Sequence, residues 1–76
     1  DGAEVDLVVE TPAGKTFAIE IKSSQAPDSS RLKGLKSFGR DYPEASLYCA
    51  APVPRARTLE GIKIIPWQEI FSVLGL

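Results

Sequence analysis

The sequence has 76 residues, of which 43% are hydrophobic and 25% are charged, and its formal net charge is -1 at pH 7. This composition indicates one small globular domain, and the balanced charge excludes a global attraction to nucleic acid or to anionic membranes. The sequence contains no histidine, which excludes Ser-His-Asp and Cys-His catalysis. No stretch approaches the roughly 20 apolar residues of a membrane span, so we expect no membrane partner.

A β-hairpin is predicted at the beginning of the sequence. Residues 3–10 and residues 16–22 both alternate between apolar and polar side chains, which is typical of half-buried strands. The segment 11–15 between them carries Pro12 and Gly14 at turn positions, so the second strand should fold back on the first.

The apolar pattern also predicts the register of this hairpin. If Glu10 lies opposite Thr16, the apolar sets of both strands share one face, whereas a slip of one residue would separate them. In this register Asp6 lies opposite Glu20, with the two Cβ atoms about 4.5–5.5 Å apart. Like charges so placed are destabilising, and a divalent cation would convert that cost into a binding site. The shared apolar face is expected to contain Val5, Leu7, Val9, Phe17, Ile19 and Ile21.

A helix and a third strand follow. Asp28, Ser29 or Ser30 can cap a helix that runs to about Arg40 and ends before Tyr42-Pro43. Residues 45–51 are apolar nearly throughout, which predicts a central strand that is parallel to residues 16–22. The inward stripe of the helix is expected to contain Leu32, Leu35 and Phe38.

The last third of the sequence predicts a long connection, a short strand and a closing helix. Prolines punctuate residues 52–61, residues 62–65 form the strand, and Pro66 suits the first turn of the helix. The order β-β-α-β-β-α predicts an α/β module of three layers, with a mixed sheet of about four strands covered by helices. The apolar face of the closing helix is expected to contain Trp67, Ile70, Phe71 and Leu74.

The single cysteine, Cys49, lies within the apolar run 47–51. This position predicts a buried thiol with a packing role, and the lack of a second cysteine predicts a reduced, cytoplasmic environment.

The hairpin resembles the PD-(D/E)XK signature of the restriction-endonuclease-like superfamily. Val5-Asp6, a turn and then Glu20-Ile21-Lys22 match that pattern, with Val5 where the proline is often lost. More narrowly, residues 2–9, 18–24 and 32–38 resemble the C-terminal domain of prokaryotic AAA-type ATPases. That tail is a domain of unknown function related to archaeal Holliday junction resolvases.

The resemblance implies a metal-dependent phosphodiesterase, or nuclease, that acts on DNA. The residues matching Asp6 and Glu20 would bind Mg²⁺ or Mn²⁺ with help from the carbonyl of Ile21, and Lys22 would activate water and stabilise the phosphate. The chain, as a single domain over residues 1–76, would be the C-terminal part of a larger ATPase, without the first helix and strand of the superfamily. Accessory candidates are Glu4, Ser24 and Gln25, and candidate DNA contacts are Lys33, Lys36, Arg40, Arg55 and Arg57.

Other interpretations of the same residues remain open. The domain could be a catalytically silent module for DNA docking, regulation or dimerisation of the ATPase. The charged residues could also form a solvated face in which Lys22 pairs with Glu4. The strand that carries Asp6 would be an open edge, which allows a homodimer through that edge or through the Trp67 helix. Trp67 is expected to lie in the core or against the remainder of the protein rather than to stack on a base.

Overall fold

The computed structural model describes residues 5–23 and 32–75 of the chain. These residues form five strands, two α-helices and one short 3₁₀ helix. In chain order the elements are β1 (Leu7–Glu10), β2 (Thr16–Ile21), α1 (Lys33–Asp41), β3 (Ser46–Ala51), β4 (Arg57–Leu59), β5 (Ile62–Pro66), the 3₁₀ helix (Trp67–Glu69) and α2 (Ile70–Leu74).

The five strands form one mixed sheet in the order β1-β2-β3-β5-β4. β2, β3 and β5 are parallel to one another, while β1 and β4 pair antiparallel at the two edges. β3 therefore occupies the centre, as its apolar sequence predicts. The α/β fold and the parallel pairing of β2 with β3 are confirmed, and the sheet has five strands rather than about four.

The hairpin of β1 and β2 has the predicted turn and register. The N–H of Thr11 donates to the carbonyl of Lys15 at 2.8 Å, and Gly14 adopts a φ of 86° that suits glycine. Glu10 pairs with Thr16, and Leu7 pairs with Ile19. The pairing that the apolar pattern requires is thus the one observed.

The predicted alternation is wrong at Val5. β1 begins at Leu7 rather than at residue 3, and the chain bends at Asp6, so the alternation of the strand does not extend to Val5. The side chain of Val5 packs against the cluster that contains Ala18 and Cys49, on the other face of the sheet from Ile19. Residues 1–4 lie outside the described part of the chain.

The main hydrophobic core lies between the sheet and α1. Helix residues Leu32 and Leu35 are fully buried and Phe38 packs against the same cluster, as the sequence predicts. At Gly39 a Cβ atom would lie 2.7 Å from Cδ1 of Leu47, so this glycine allows α1 to approach β3 closely. The strand residues of this core are Ala18, Cys49, Ala51, Ile62 and Ile64, and Val53 follows β3.

Helix α1 begins later than predicted. Its first residue is Lys33, and Leu32 occupies the N-cap position without a side-chain cap. The predicted caps Asp28, Ser29 and Ser30 lie outside the described residues. The helix ends at Asp41, as predicted, where the N–H of Tyr42 donates to the carbonyl of Phe38 at 2.8 Å.

The closing segment differs from the predicted amphipathic helix. Residues 67–69 form a 3₁₀ helix, which has three residues per turn, so the apolar spacing of a regular α-helix is not maintained through them. Trp67 is 45% exposed and Phe71 is 63% exposed, so neither lies in the core. Val73 of α2 borders a surface cleft together with Phe17 and Tyr48, which places α2 on the opposite face of the sheet from α1.

Within the described residues, no helix is long and apolar enough to cross a membrane.

Strand β4 was not predicted because the turn between β4 and β5 has an unusual sequence. Glu60 and Gly61 join β4 to β5 with φ values of 51° and 82°, which is the two-residue geometry that Asn-Gly or Asp-Gly usually adopts. Because Glu occupies the first turn position and two prolines lie upstream, the sequence of residues 52–61 predicts an irregular connection.

We predict that Ile64→Ala lowers the free energy of unfolding by about 2–5 kcal/mol, because Ile64 is fully buried and its truncation leaves a cavity. Ile21→Ala is the matched control, since it is the same substitution at a strand position where the side chain is 56% exposed. We expect it to cost less than about 1 kcal/mol. Urea denaturation followed by circular dichroism measures both, and equal losses would contradict the described core.

Candidate functional site

The candidate site lies at the carboxyl end of β2. Glu20 is on β2, and Lys22 follows directly after the strand. The register places Glu20 beside Cys49 of β3 and, continued by one residue beyond the observed pairs, opposite Asp6. The two residues that the sequence places opposite each other therefore flank the same end of the hairpin.

The carboxylate of Glu20 is buried and only half satisfied. Its Oε2 atom lies 2.6 Å from Nζ of Lys22, in an ion pair whose side chains are 12% and 29% exposed. Its Oε1 atom is buried and has no hydrogen-bond partner among the described residues. Buried polar atoms of this kind are uncommon, because losing water without gaining a partner costs about 1–3 kcal/mol, and more for a charged group.

The side chain of Asp6 accepts a backbone hydrogen bond from the end of β2. The N–H of Ile21 donates to Oδ2 of Asp6 at 2.8 Å, whereas the next N–H, that of Lys22, donates across the sheet to Ala50. Because the N–H and C=O of one strand residue point to the same side, the carbonyl of Ile21 is also directed toward Asp6. One hydrogen bond leaves most of the acceptor capacity of the Asp6 carboxylate available.

Trp67 is a residue of this region that the sequence did not assign to the site. Its indole N–H lies 3.2 Å from the carbonyl oxygen of Lys22 and 3.1 Å from that of Ala50, and it donates to both. This shared hydrogen bond joins the end of β5 to the ends of β2 and β3. Of the two positions expected for Trp67, the core is wrong, because the ring is 45% exposed and its N–H is bound at the rim of the sheet, while a contact with the remainder of the protein stays a prediction.

The pKa of the Cys49 thiol depends on several charged side chains of this region. The pKa of its thiol is raised to about 11, first by burial and then by the negative charge of Glu20, with a smaller contribution from Asp6, while the positive charges of Lys22 and Arg57 oppose the increase. Cys49 is buried and carries no disulfide, as predicted. Four charged side chains therefore act on one buried atom.

Arg57 belongs to this group because of its register. It pairs with Ile64, which pairs with Cys49, which pairs with Glu20, so all four side chains lie in one row on the α1 face of the sheet. The sequence placed Arg57 in an irregular connection and could not show this alignment, because β4 was not predicted.

The other candidate DNA contacts differ in their exposure and in their ion pairs. Lys33 and Arg40 are exposed on α1, and Arg55 is exposed between β3 and β4. Lys36 is engaged in an ion pair with Glu60 at 2.7 Å, so it is not a freely solvated part of a basic stripe. The accessory candidates Glu4, Ser24 and Gln25 lie outside the described residues.

The donor set fits a hard cation with few protein ligands. Counting only residues 5–23 and 32–75, the structure contains no cluster of three or more His, Cys, Asp and Glu side chains. Mg²⁺ is usually held by one or two carboxylates together with waters and a substrate phosphate. The unsatisfied Oε1 of Glu20, the Asp6 carboxylate and the carbonyl of Ile21 supply oxygen ligands of that kind.

Comparison with known proteins gives a family but no activity. A model of the family "Domain of unknown function (DUF4143)" matches residues 1–70. No curated protein and no solved structure matches the chain.

We predict a pH dependence of stability that comes from Cys49. In the unfolded chain the thiol ionises at its ordinary pKa of 9.0, whereas the folded protein retains the proton up to about pH 11. As the pH rises from 9.0 to about 11 the folded state binds more protons than the unfolded state, so the free energy of unfolding falls by about 1–3 kcal/mol. The Cys49→Ala variant should lack this component, and identical pH profiles for both proteins would contradict it.

Proposed function

We propose that this chain, which belongs to the DUF4143 family of domains of unknown function, is a metal-dependent phosphodiesterase domain that acts on DNA. The observation that carries the proposal is the buried Oε1 of Glu20, which has no partner among the described residues although Lys22 neutralises the other oxygen. A cation at this position would remove the cost of burying that oxygen.

Asp6, Glu20 and the carbonyl of Ile21 would hold the cation, which is Mg²⁺ or Mn²⁺ in this proposal. These are oxygen ligands, as both ions prefer, and the two carboxylates outweigh the single charge of Lys22. When bound, the cation supplies an activated water and neutralises charge on the phosphate. The protein contributes the positions of the ligands, which the hairpin register and the Asp6–Ile21 hydrogen bond hold in place.

Lys22 would contact the phosphate of the substrate. Its ammonium group has three N–H donors, and the ion pair with Glu20 occupies one direction of the group. The side chain is partly exposed, so a phosphate can reach it without unfolding of the strand. Lys22 would orient the attacking water and stabilise the charge that develops on the phosphate.

The burial of Glu20 argues against a merely solvated charged face. Glu20 is 9% exposed, whereas a solvated face would leave its carboxylate in water. Lys22 pairs with Glu20, and Glu4, its partner in that alternative, lies outside the described residues.

Membership of the PD-(D/E)XK superfamily and a place in an AAA-type ATPase are parts of the same proposal. They are supported by the Asp6 and Glu20-Ile21-Lys22 spacing and by the β-hairpin, helix and parallel strand that surround it. An ATPase chain and DNA would then be the partners of the domain.

A catalytically silent DNA-docking module is the second candidate. Asp6 already accepts a backbone hydrogen bond, and Lys22 already neutralises Glu20, so both side chains also have structural roles. This candidate predicts that Lys22→Ala weakens DNA binding while no DNA is cut by the wild-type protein. The phosphodiesterase predicts that Lys22→Ala removes cleavage and leaves metal affinity within a few-fold.

We predict that Glu20→Gln weakens Mn²⁺ binding by at least about tenfold and abolishes cleavage of DNA. The substitution keeps the shape of the side chain but removes a carboxylate oxygen from the ligand set. Glu44→Gln is the matched control, because Glu44 is an exposed carboxylate in the loop before β3 and should leave both properties unchanged.

Isothermal titration with Mn²⁺ and a cleavage assay on single-stranded, duplex and branched DNA measure the two effects, and circular dichroism verifies folding. Failure of the wild-type protein to bind Mn²⁺, or equal affinity in the Glu20 and Glu44 variants, would overturn the proposal.

A further inference from the structure

A second feature of the carboxyl edge of the sheet is an open cleft beside Lys22. It has a volume of about 770 Å³ and is lined by Pro52, Val53, Pro54, Trp67 and Gln68. Pro52 to Pro54 follow the end of β3, and Trp67 and Gln68 follow the end of β5. In open α/β sheets, ligands bind in crevices outside the carboxyl ends of the parallel strands, which is where this cleft lies.

The cleft is linked directly to the candidate site. Trp67 lines it, and the indole N–H of the same residue donates to the carbonyls of Lys22 and Ala50. This hydrogen bond fixes the ring of Trp67 relative to the backbone of the lysine that would contact the phosphate. A molecule bound in the cleft would therefore contact a ring that is held against the backbone of Lys22.

The chemistry of the lining differs from that of the site itself. The cleft presents an indole ring that is 45% exposed, proline rings and the amide of Gln68, and none of these side chains is charged. Aromatic rings stack on nucleobases regardless of sequence, and an amide can accept and donate hydrogen bonds at a base edge. The neutral cleft thus suits a base, while the ammonium of Lys22, whose backbone carbonyl accepts the indole N–H, suits a phosphate of the same strand.

We propose that this cleft is a nucleobase subsite, in which Trp67 stacks on an unpaired base of single-stranded DNA whose phosphate lies near Lys22. The inference rests on the proposed function for the position of the phosphate. It adds a substrate class, because a base can reach Trp67 only when it is free of its duplex partner. Trp67 would also act as a positioning residue for Lys22 through its hydrogen bond to the Lys22 carbonyl.

The test compares the intact protein's binding to two fluorescently labelled oligonucleotides in EDTA, without added metal. One is a single-stranded DNA of eight nucleotides, and the other has the same phosphates but abasic residues at its four central positions. We expect the abasic strand to bind about tenfold more weakly in fluorescence anisotropy. Because Trp67 is the only tryptophan of the sequence, the normal strand should also quench its emission.

Two variants separate stacking from folding and from positioning. Trp67→Ala should bind both strands equally. Trp67→Phe retains a ring but lacks the indole N–H, so it should keep a reduced preference for the normal strand and should bind the abasic strand more weakly than the wild-type protein does, because the Lys22 backbone is no longer held. If the alanine variant does not fold, the comparison of the two strands in the wild-type protein still decides. Equal binding of the two strands by the wild-type protein, or an unchanged preference in a folded Trp67→Ala variant, would overturn the proposal and favour a protein partner in the cleft.

The outcome is independent of cleavage, because no metal is present in the binding assay. A base preference without DNA cleavage would support the nucleobase subsite and contradict the phosphodiesterase activity. Cleavage without a base preference would support the phosphodiesterase activity and contradict the subsite.

Discussion

Glu20 buries a carboxylate near the end of β2. An ionised side chain in a protein interior costs several kcal/mol unless other groups compensate it. Lys22 compensates one oxygen of Glu20, and the second has no partner among the residues that the structure describes. Asp6 adds a second negative charge near Glu20. The hairpin therefore brings two carboxylates together in a small domain, whose free energy of unfolding is expected to be small.

The topology explains why this place is the end of β2. Three parallel strands finish at one edge of the sheet, and each contributes a different chemical group there. β2 leads to Lys22, β3 leads to the segment Pro52 to Pro54, and β5 leads to Trp67. The indole hydrogen bond connects these ends, since its two acceptors are the carbonyls of Lys22 and Ala50. A charged site and a neutral cleft are thus held side by side by backbone atoms, whose positions the sheet fixes.

Local rules predicted the parts of the fold in which one pattern dominates. The alternation of Leu7 to Glu10 against Thr16 to Ile21 allows only one register, so the observed pairing of these two strands could be inferred from sequence. The apolar run of β3 likewise required a central position. Other parts depend on backbone geometry that the side chains do not encode clearly. The bend at Asp6 places Val5 on the other face of the sheet from the one predicted. The turn at Glu60-Gly61 lacks the usual hairpin residues, so neither β4 nor the alignment of Arg57 could be predicted. Trp67 was misplaced because an aromatic residue in an apolar spacing indicates a core position, whereas two carbonyl acceptors hold it at the rim.

Crystals of the protein grown with Mn²⁺, with diffraction data collected at the manganese absorption edge, would show whether Glu20 is a metal ligand. We predict an anomalous peak within coordinating distance of Oε1 of Glu20, with Asp6 and the carbonyl of Ile21 among the other ligands. A peak elsewhere, or an Oε1 that is instead hydrogen-bonded to the protein with no metal beside it, would contradict the assignment of this carboxylate as a metal ligand.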